Sequence, residues 1–163
     1  MKRLHRLAHI FMVCGILVPF LGAADGGPKI AAQAIIEQMT ADHPDLITAG
    51  IHAKPANSRD YVIIAHSLHV SIGHKSEGAD LVTLETGKPD GPNALEGWIY
   101  DIGLPLRDRQ GAIFAFVAFH VKPDPKGPAP KDEALRRAEK YRDELQARIP
   151  DSAALFEPAV SGR

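Results

Sequence analysis

The stretch from Tyr100 to Lys122, Tyr-Asp-Ile-Gly-Leu-Pro-Leu-Arg-Asp-Arg-Gln-Gly-Ala-Ile-Phe-Ala-Phe-Val-Ala-Phe-His-Val-Lys, constrains the fold more than any other part of the chain. It reads as strand, tight turn, strand. Asp108-Arg109-Gln110-Gly111 supplies the reversal, with Gly111 free to take positive φ and Asp108 placed to hydrogen-bond the turn backbone. Ala112 to Phe119 is the longest uncharged apolar run beyond the N-terminal segment. Its length and aromatic content predict a central strand covered on at least one face. Strand alternation puts Phe114, Phe116, Ala118 and His120 on one side, and Ala115, Val117 and Phe119 on the other.

The first 24 residues read as a cleaved secretory leader. Lys2, Arg3 and Arg6 form a basic head, Leu7 to Leu21 an apolar centre broken by Pro19, and Gly22-Ala23-Ala24 a small-residue cleavage site. The apolar centre is short for a membrane anchor, which needs roughly 20 such residues. The lone cysteine, Cys14, leaves with the leader, so no disulfide, thiol nucleophile or thiolate ligand is expected in the mature chain. Residues 25–163 are enough for one domain. Losing three cations and no acid takes the formal charge from −1 to −4, a poor balance for nucleic acid or an anionic membrane. The expected location is secreted, and periplasmic if the cell is Gram-negative.

Along the chain, Pro28 suits the start of a helix with Ile30, Ala34, Ile35 and Met39 on one face and Ile36 at its margin, ended by His43-Pro44. Leu46–Ala53 and Tyr61–Ala65 read as two strands across the turn cluster Pro55–Ser58. Ser76 is placed to cap a short helix through Leu81 and Leu84, with Gly87 as its stop. Gly87–Asn93 reads as a loop, and Leu95–Asp101 as a third strand with Trp98 and Tyr100 on one face. Gly103 and Pro105 predict a bend or a strand break. After the proline-rich linker 123–130, Lys131–Ile149 is the strongest helix, striped by Leu135, Ala138, Tyr141 or Arg142, Leu145 and Ile149. Short turns between consecutive strands favour an antiparallel sheet, about five strands spanning 46–122, in an α+β domain.

Three segments together resemble a known family. They are Ala65-His-Ser-Leu-His-Val-Ser-Ile-Gly-His-Lys-Ser76, Asp80-Leu-Val-Thr-Leu-Glu-Thr-Gly-Lys-Pro89 and Leu104-Pro-Leu-Arg-Asp-Arg-Gln-Gly-Ala-Ile-Phe-Ala115. Their order is similar to that of extracytoplasmic sensor domains of the Cache type, which share a PAS-like sheet. Ala115 stands where that family often has a second glycine. The resemblance covers roughly residues 30 to 122. It implies a five-stranded antiparallel sheet with a pocket on one face, roofed by the segment between the second and third strands. It also implies a small ligand of the carboxylate, amino acid or amine class. Such domains usually sit on receptors with a membrane helix and an output domain, so a sensor built from this chain is expected to report to a separate membrane receptor.

Candidate ligand contacts are His66, His69, His74, Lys75, Trp98, Tyr100, Asp101, Phe116 and His120. His66, His69 and His74 fall within nine residues, but His-x2-His-x4-His lacks the cysteines or carboxylates of a strong metal motif. Facing a ligand, they would instead make binding pH-dependent near neutrality. Trp98, Tyr100 and Asp101 offer two rings and a carboxylate for an ammonium group. Alternation puts Asp101 opposite Tyr100, which counts against that cage. Lys75 and Arg107 are the cations available to a carboxylate ligand. No Gly-x-Ser-x-Gly, phosphate loop or His-Glu-x-x-His is present, and Ser67 between His66 and His69 makes no triad by adjacency. The expectation is a non-catalytic binding domain without cofactor. The alternatives are a structural protein that forms a homodimer through the helix 131–149, and a metal-binding protein built on the three histidines.

Overall fold

A computed structural model describes residues 29–160, so the leader, Cys14 and Pro28 lie outside the described residues. A five-stranded antiparallel sheet forms the body of the domain, with strands β1 (Leu46–Ala53), β2 (Val62–His66), β3 (Asp90–Ala94), β4 (Tyr100–Arg107) and β5 (Ile113–Val121) in the order β2-β1-β5-β4-β3. The helices are α1 (Ala31–Asp42), α2 (Ala79–Thr86), α3 (Pro130–Arg148) and α4 (Ser152–Phe156). The architecture is α+β, as expected. No described helix is long and apolar enough to cross a membrane.

The β4–β5 hairpin forms as its sequence dictates. Asp108 Oδ1 accepts from the backbone N–H of Gln110 and of Ala112, both at 2.9 Å, and Gly111 adopts φ 84°. Strand β5 then runs up the middle of the sheet between β1 and β4. Its Ala115, Val117, Phe119 and Val121 are fully buried, alongside Ala49 and Ile51 of β1 and Ile102, Leu104 and Leu106 of β4. Helices α1 and α3 close this face. Each fully buried Ile, Leu or Phe there contributes about 1.5–3 kcal/mol.

Pro130 opens α3 at its first turn, where a missing N–H costs nothing. Ala134, Ala138, Tyr141 and Leu145 recur on one side and are buried against the helix's own sheet. The apolar stripe of this helix thus serves the chain's own core. On α1 the buried side is Ala32, Ile35, Ile36 and Met39, so Ile36 is central and Ala34 half-exposed.

Four local expectations are corrected. Asp90–Ala94 is strand, not loop. Its residues are poor strand formers, but β4 offers an unpaired edge, and an edge position tolerates Pro92. Leu95–Ile99 is not strand. Gly97 (φ 69°) and Trp98 (φ 63°) take left-handed conformations in a single helical turn, which breaks the alternation before Tyr100. Strand β4 begins at Tyr100 and continues through Gly103 and Pro105 without a break. Lastly, Gly78 rather than Ser76 precedes α2, while Gly87 ends it as expected, with φ 69° and its N–H on Thr83 O at 2.8 Å.

Candidate functional site

The sheet has two unlike faces. Opposite the apolar core face lie Thr48, Gly50 and His52 of β1, Phe114, Phe116, Ala118 and His120 of β5, Asp101, Gly103 and Pro105 of β4, and His66 of β2. The register that aligns them pairs Gly50 with His66 and Ala118, His52 with Phe116, Asp101 with His120, and Gly103 with Ala118. Helix α2 packs across the Phe116 half and buries Thr83 and Leu84. Ala118, His120, Asp101, Thr48 and His66 remain half-buried in the other half.

His66 is held from three directions. The Gln33 side chain of α1 clamps its backbone, accepting from its N–H at 2.9 Å and donating to its carbonyl at 3.1 Å. The Leu68 N–H donates to its Nδ1 at 2.8 Å. The ring lies over Gly50, where a Cβ would stand 2.4 Å from Cδ2 and 3.2 Å from Nε2. Burial lowers the His66 pKa, and the charges of His52 and His120 lower it further. With Nδ1 accepting, the neutral ring carries its proton on Nε2, which is therefore a donor directed over β1.

His52 is only 6% exposed. Its Nδ1 lies 2.9 Å from Ser76 Oγ and 3.3 Å from Asp80 Oδ2, tying the roof to the sheet. The Ser76 hydroxyl is the hydrogen-bonded partner of Nδ1, and the other ring nitrogen, Nε2, has none among the described residues. No fully buried side-chain nitrogen or oxygen among the described residues lacks a partner, so this unpaired Nε2 opens onto accessible space. Ser76 and Asp80 share one nitrogen of His52. A nucleophile relay needs its hydroxyl and its carboxylate on opposite nitrogens, so this is a latch and not a triad. The Phe116 ring packs edge-on against His52 at 4.8 Å and lies over Gly103.

Asp101 stands beside His120, with Oδ1 and Nε2 3.6 Å apart. Burial raises the Asp101 pKa, and Asp90 and Asp80 reinforce the shift against the opposing pull of His120 and His52. A carboxylate is thus held in an environment that resists its charge.

Of the candidate residues, His66, Asp101, Phe116 and His120 come together on this face. The others go elsewhere. Tyr100 points into the core and is 8% exposed, whereas Trp98 is out in solvent. They share no strand face, and the two-ring ammonium cage does not form. His69 pairs with Glu37 of α1 at 3.0 Å, and Lys75 with Asp60 at 3.0 Å. His74 is exposed, and its backbone accepts from the Ile63 N–H and donates to the Ser71 carbonyl. Arg107 donates to the carbonyls of Gly111 and Gly87, bracing the end of α2. His66, His69 and His74 do not converge. Among the described residues no group of three or more His, Cys, Asp or Glu side chains is arranged to hold a metal ion. His52, Ser76, Asp80 and Gln33 were not among the candidate contacts, although Ser76 and Asp80 lie in the segment expected to roof the pocket. The signal for His52 lay in β1, where Thr48, Gly50 and His52 alternate with Ala49, Ile51 and Ala53.

Two shallow grooves lie away from this face. One runs along Ala34, Glu37, Gln38 and Ala41 of α1 beside Lys29, Ala159 and Val160. The other is walled by His43, Asp45 and α3. There Asp45 accepts from Arg137 at 2.7 Å and from the Tyr141 hydroxyl at 2.7 and 2.8 Å. Every charge at its centre is already paired, and it reads as a structural clasp between α3 and the start of β1.

No family model matches the chain, and no curated protein does. Solved structures with a similar arrangement include three bacterial or archaeal proteins. The GAF domain of Acinetobacter phosphoenolpyruvate-protein phosphotransferase is 13% identical at a TM-score of 0.46, over 71% of this chain and 80% of that one. The E. coli DcuS sensor domain is 16% identical at 0.41, over 68% and 71%. A type II free methionine-R-sulfoxide reductase from Thermoplasma acidophilum is 13% identical at 0.42, over 74% and 92%. Likenesses this distant carry no argument about chemistry, which rests on the residues of this chain.

Proposed function

We propose that this chain is a secreted, sensor-like domain that binds a small organic molecule and does no catalysis of its own. One observation carries the reading: the sheet devotes one whole face to the core, while the other holds His66, Asp101 and His120 half-buried beside the part that α2 covers, with His52 buried between them and the roof. Burying titratable groups without full pairing costs free energy, and such groups concentrate where ligands bind. The ligand would lie over Ala118, between the His66 ring that covers Gly50 and the Phe116 ring that covers Gly103. Residues 66–84 would respond to it, since their latch to the sheet is His52 itself. The leader would deliver the domain to the periplasm or exterior, where a membrane receptor reads its state.

The test is thermal unfolding of the secreted protein with panels of carboxylates, amino acids, amines and metal salts. A ligand at 100 times its Kd adds about 2.7 kcal/mol to stability and raises the Tm measurably. A protein whose Tm is unmoved by every panel does not perform this function. N-terminal sequencing of the same material should begin at Ala24 or Asp25.

A further inference from the structure

His66 differs from the other described histidines in what faces it. His43 meets Glu144, His52 meets Asp80, His69 meets Glu37 and His120 meets Asp101. His74 is exposed. His66 is half-buried, and among the described residues no carboxylate forms an ion pair with it. The charges that act on its ring are the imidazoles of His52 on β1 and His120 on β5, and both oppose its protonation, as does burial. From α1 it meets the neutral amide of Gln33, while Glu37 on that helix is taken by Lys29 and His69. Asp80 of α2 and Asp101 of β4 face His52 and His120 instead. The ring also makes a bond that only its neutral form can make. The Leu68 N–H can only donate, so Nδ1 must present a lone pair to it at 2.8 Å. A proton on Nδ1 would set two N–H groups against each other. Little else holds the chain that follows. The N–H groups of Ser67 and Gly73 are anchored on the carbonyls of Ala49 and Ile63. Between them, beyond internal turn bonds, residues 68–72 are tied to the body by two hydrogen bonds among the described residues, Leu68 to His66 and His69 to Glu37. Leu68 and Val70 are exposed, so packing adds little.

We propose that proton uptake by His66 releases Leu68 and frees the ring from Gly50, so that this edge of the histidine face opens in acid and closes near neutral pH. The lone pair that held Leu68 is the one the proton takes, so the bond and the proton exclude each other. The neighbouring contact responds in the opposite sense. His69 gains charge opposite Glu37 when protonated, so the turn stays tethered to α1 while it leaves the His66 ring. The switch belongs to the ligand-free chain and stands apart from the binding function proposed above.

NMR of the uniformly labelled, ligand-free protein tests it, following ring and amide signals from about pH 8 to 5, the range in which imidazoles titrate. The His66 ring and the Leu68 amide should titrate together, at a midpoint below the ordinary imidazole value of about 6.5. The Leu68 amide proton should move upfield as its hydrogen bond is lost, and the Gly50 amide should follow the same curve. In His66→Asn the side-chain oxygen can still accept from the N–H two residues on but takes up no proton, so the Leu68 transition should vanish. A Leu68 amide that stays put while His66 titrates overturns the switch, and so does a His66 ring that remains neutral across the range. The same Leu68 transition in His66→Asn also overturns it and assigns the change to His69 and Glu37. The wild-type comparison of ring and amide decides the matter even if the variant does not fold. None of these outcomes bears on whether a ligand binds, which the thermal-unfolding panels test separately.

Discussion

Replacing Gly50 by alanine probes the site and the sheet at once. The new Cβ would stand 2.4 Å from Cδ2 of His66, where carbon atoms normally keep about 3.5–4.0 Å. The ring cannot simply slide, because its Nδ1 is fixed by the Leu68 N–H and its backbone by Gln33. Overpacking of this kind costs about 1–3 kcal/mol. Losing the Leu68 hydrogen bond adds about 0.5–1.5 kcal/mol. Against this, alanine restricts the unfolded chain and returns about 0.4–1 kcal/mol. The net loss is about 0.5–4 kcal/mol, summed from these same ranges. Urea denaturation of Gly50→Ala, His66→Ala and the double variant forms a double-mutant cycle. With the ring gone the Gly50→Ala clash disappears, so the coupling should exceed about 1 kcal/mol. A Gly50→Ala protein as stable as the wild type, or additive with His66→Ala, would refute the placement of His66 over β1.

Three further outcomes follow from the same geometry. Asp101→Asn should raise the Tm of the ligand-free protein at pH 7, since the raised pKa means the folded state disfavours the ionised form; a lower Tm contradicts this. His66 has a depressed folded pKa, so its stability contribution is complete above the unfolded value of about 6.5 and is lost as pH falls below it. Denaturation curves between pH 7 and 5 should therefore show a decline that is shallower in His66→Asn, and an equal slope in both proteins counts against the assignment. Tyr141→Phe removes a hydroxyl that donates to the paired Asp45 carboxylate and should cost about 1.5–3 kcal/mol in urea denaturation; a change under about 0.5 kcal/mol would show that Arg137 alone holds Asp45.

Much of the fold was legible because local and tertiary demands agree. Leu46–Ala53, the Asp108–Gly111 turn, the long strand after it and the helix after the proline linker all carry strong patterns, and all form. Asp90–Ala94 escaped because it is strand only by virtue of the β4 edge beside it. Leu95–Asp101 misled because its aromatics suggest a strand, whereas Gly97 and Trp98 fold into a left-handed turn. The two faces of β5 could be read from alternation, but not which face the helices would take. That choice is made by where α1 and α3 dock. His120 could be named because it sits in a recognisable strand, and Asp101 because it closes the Leu95–Asp101 run, of which only Tyr100 and Asp101 are strand. His52 was visible only as one of three alternating residues in β1, and its meaning depends on Ser76 and Asp80 arriving from a separate segment. Lys75 and Arg107 drew attention as free cations, yet their partners are far along the chain and no spacing rule reveals them.

The central claim is that ligand binds on the histidine face of the sheet. Backbone amide NMR of uniformly labelled protein, titrated with a compound that raises the Tm, tests this directly. The account predicts saturable shifts centred on Gly50, His66, Asp101, Ala118 and His120, spreading into 79–86. Shifts confined to the groove along Lys29–Ala41, or to the one walled by Asp45 and Tyr141, would contradict it.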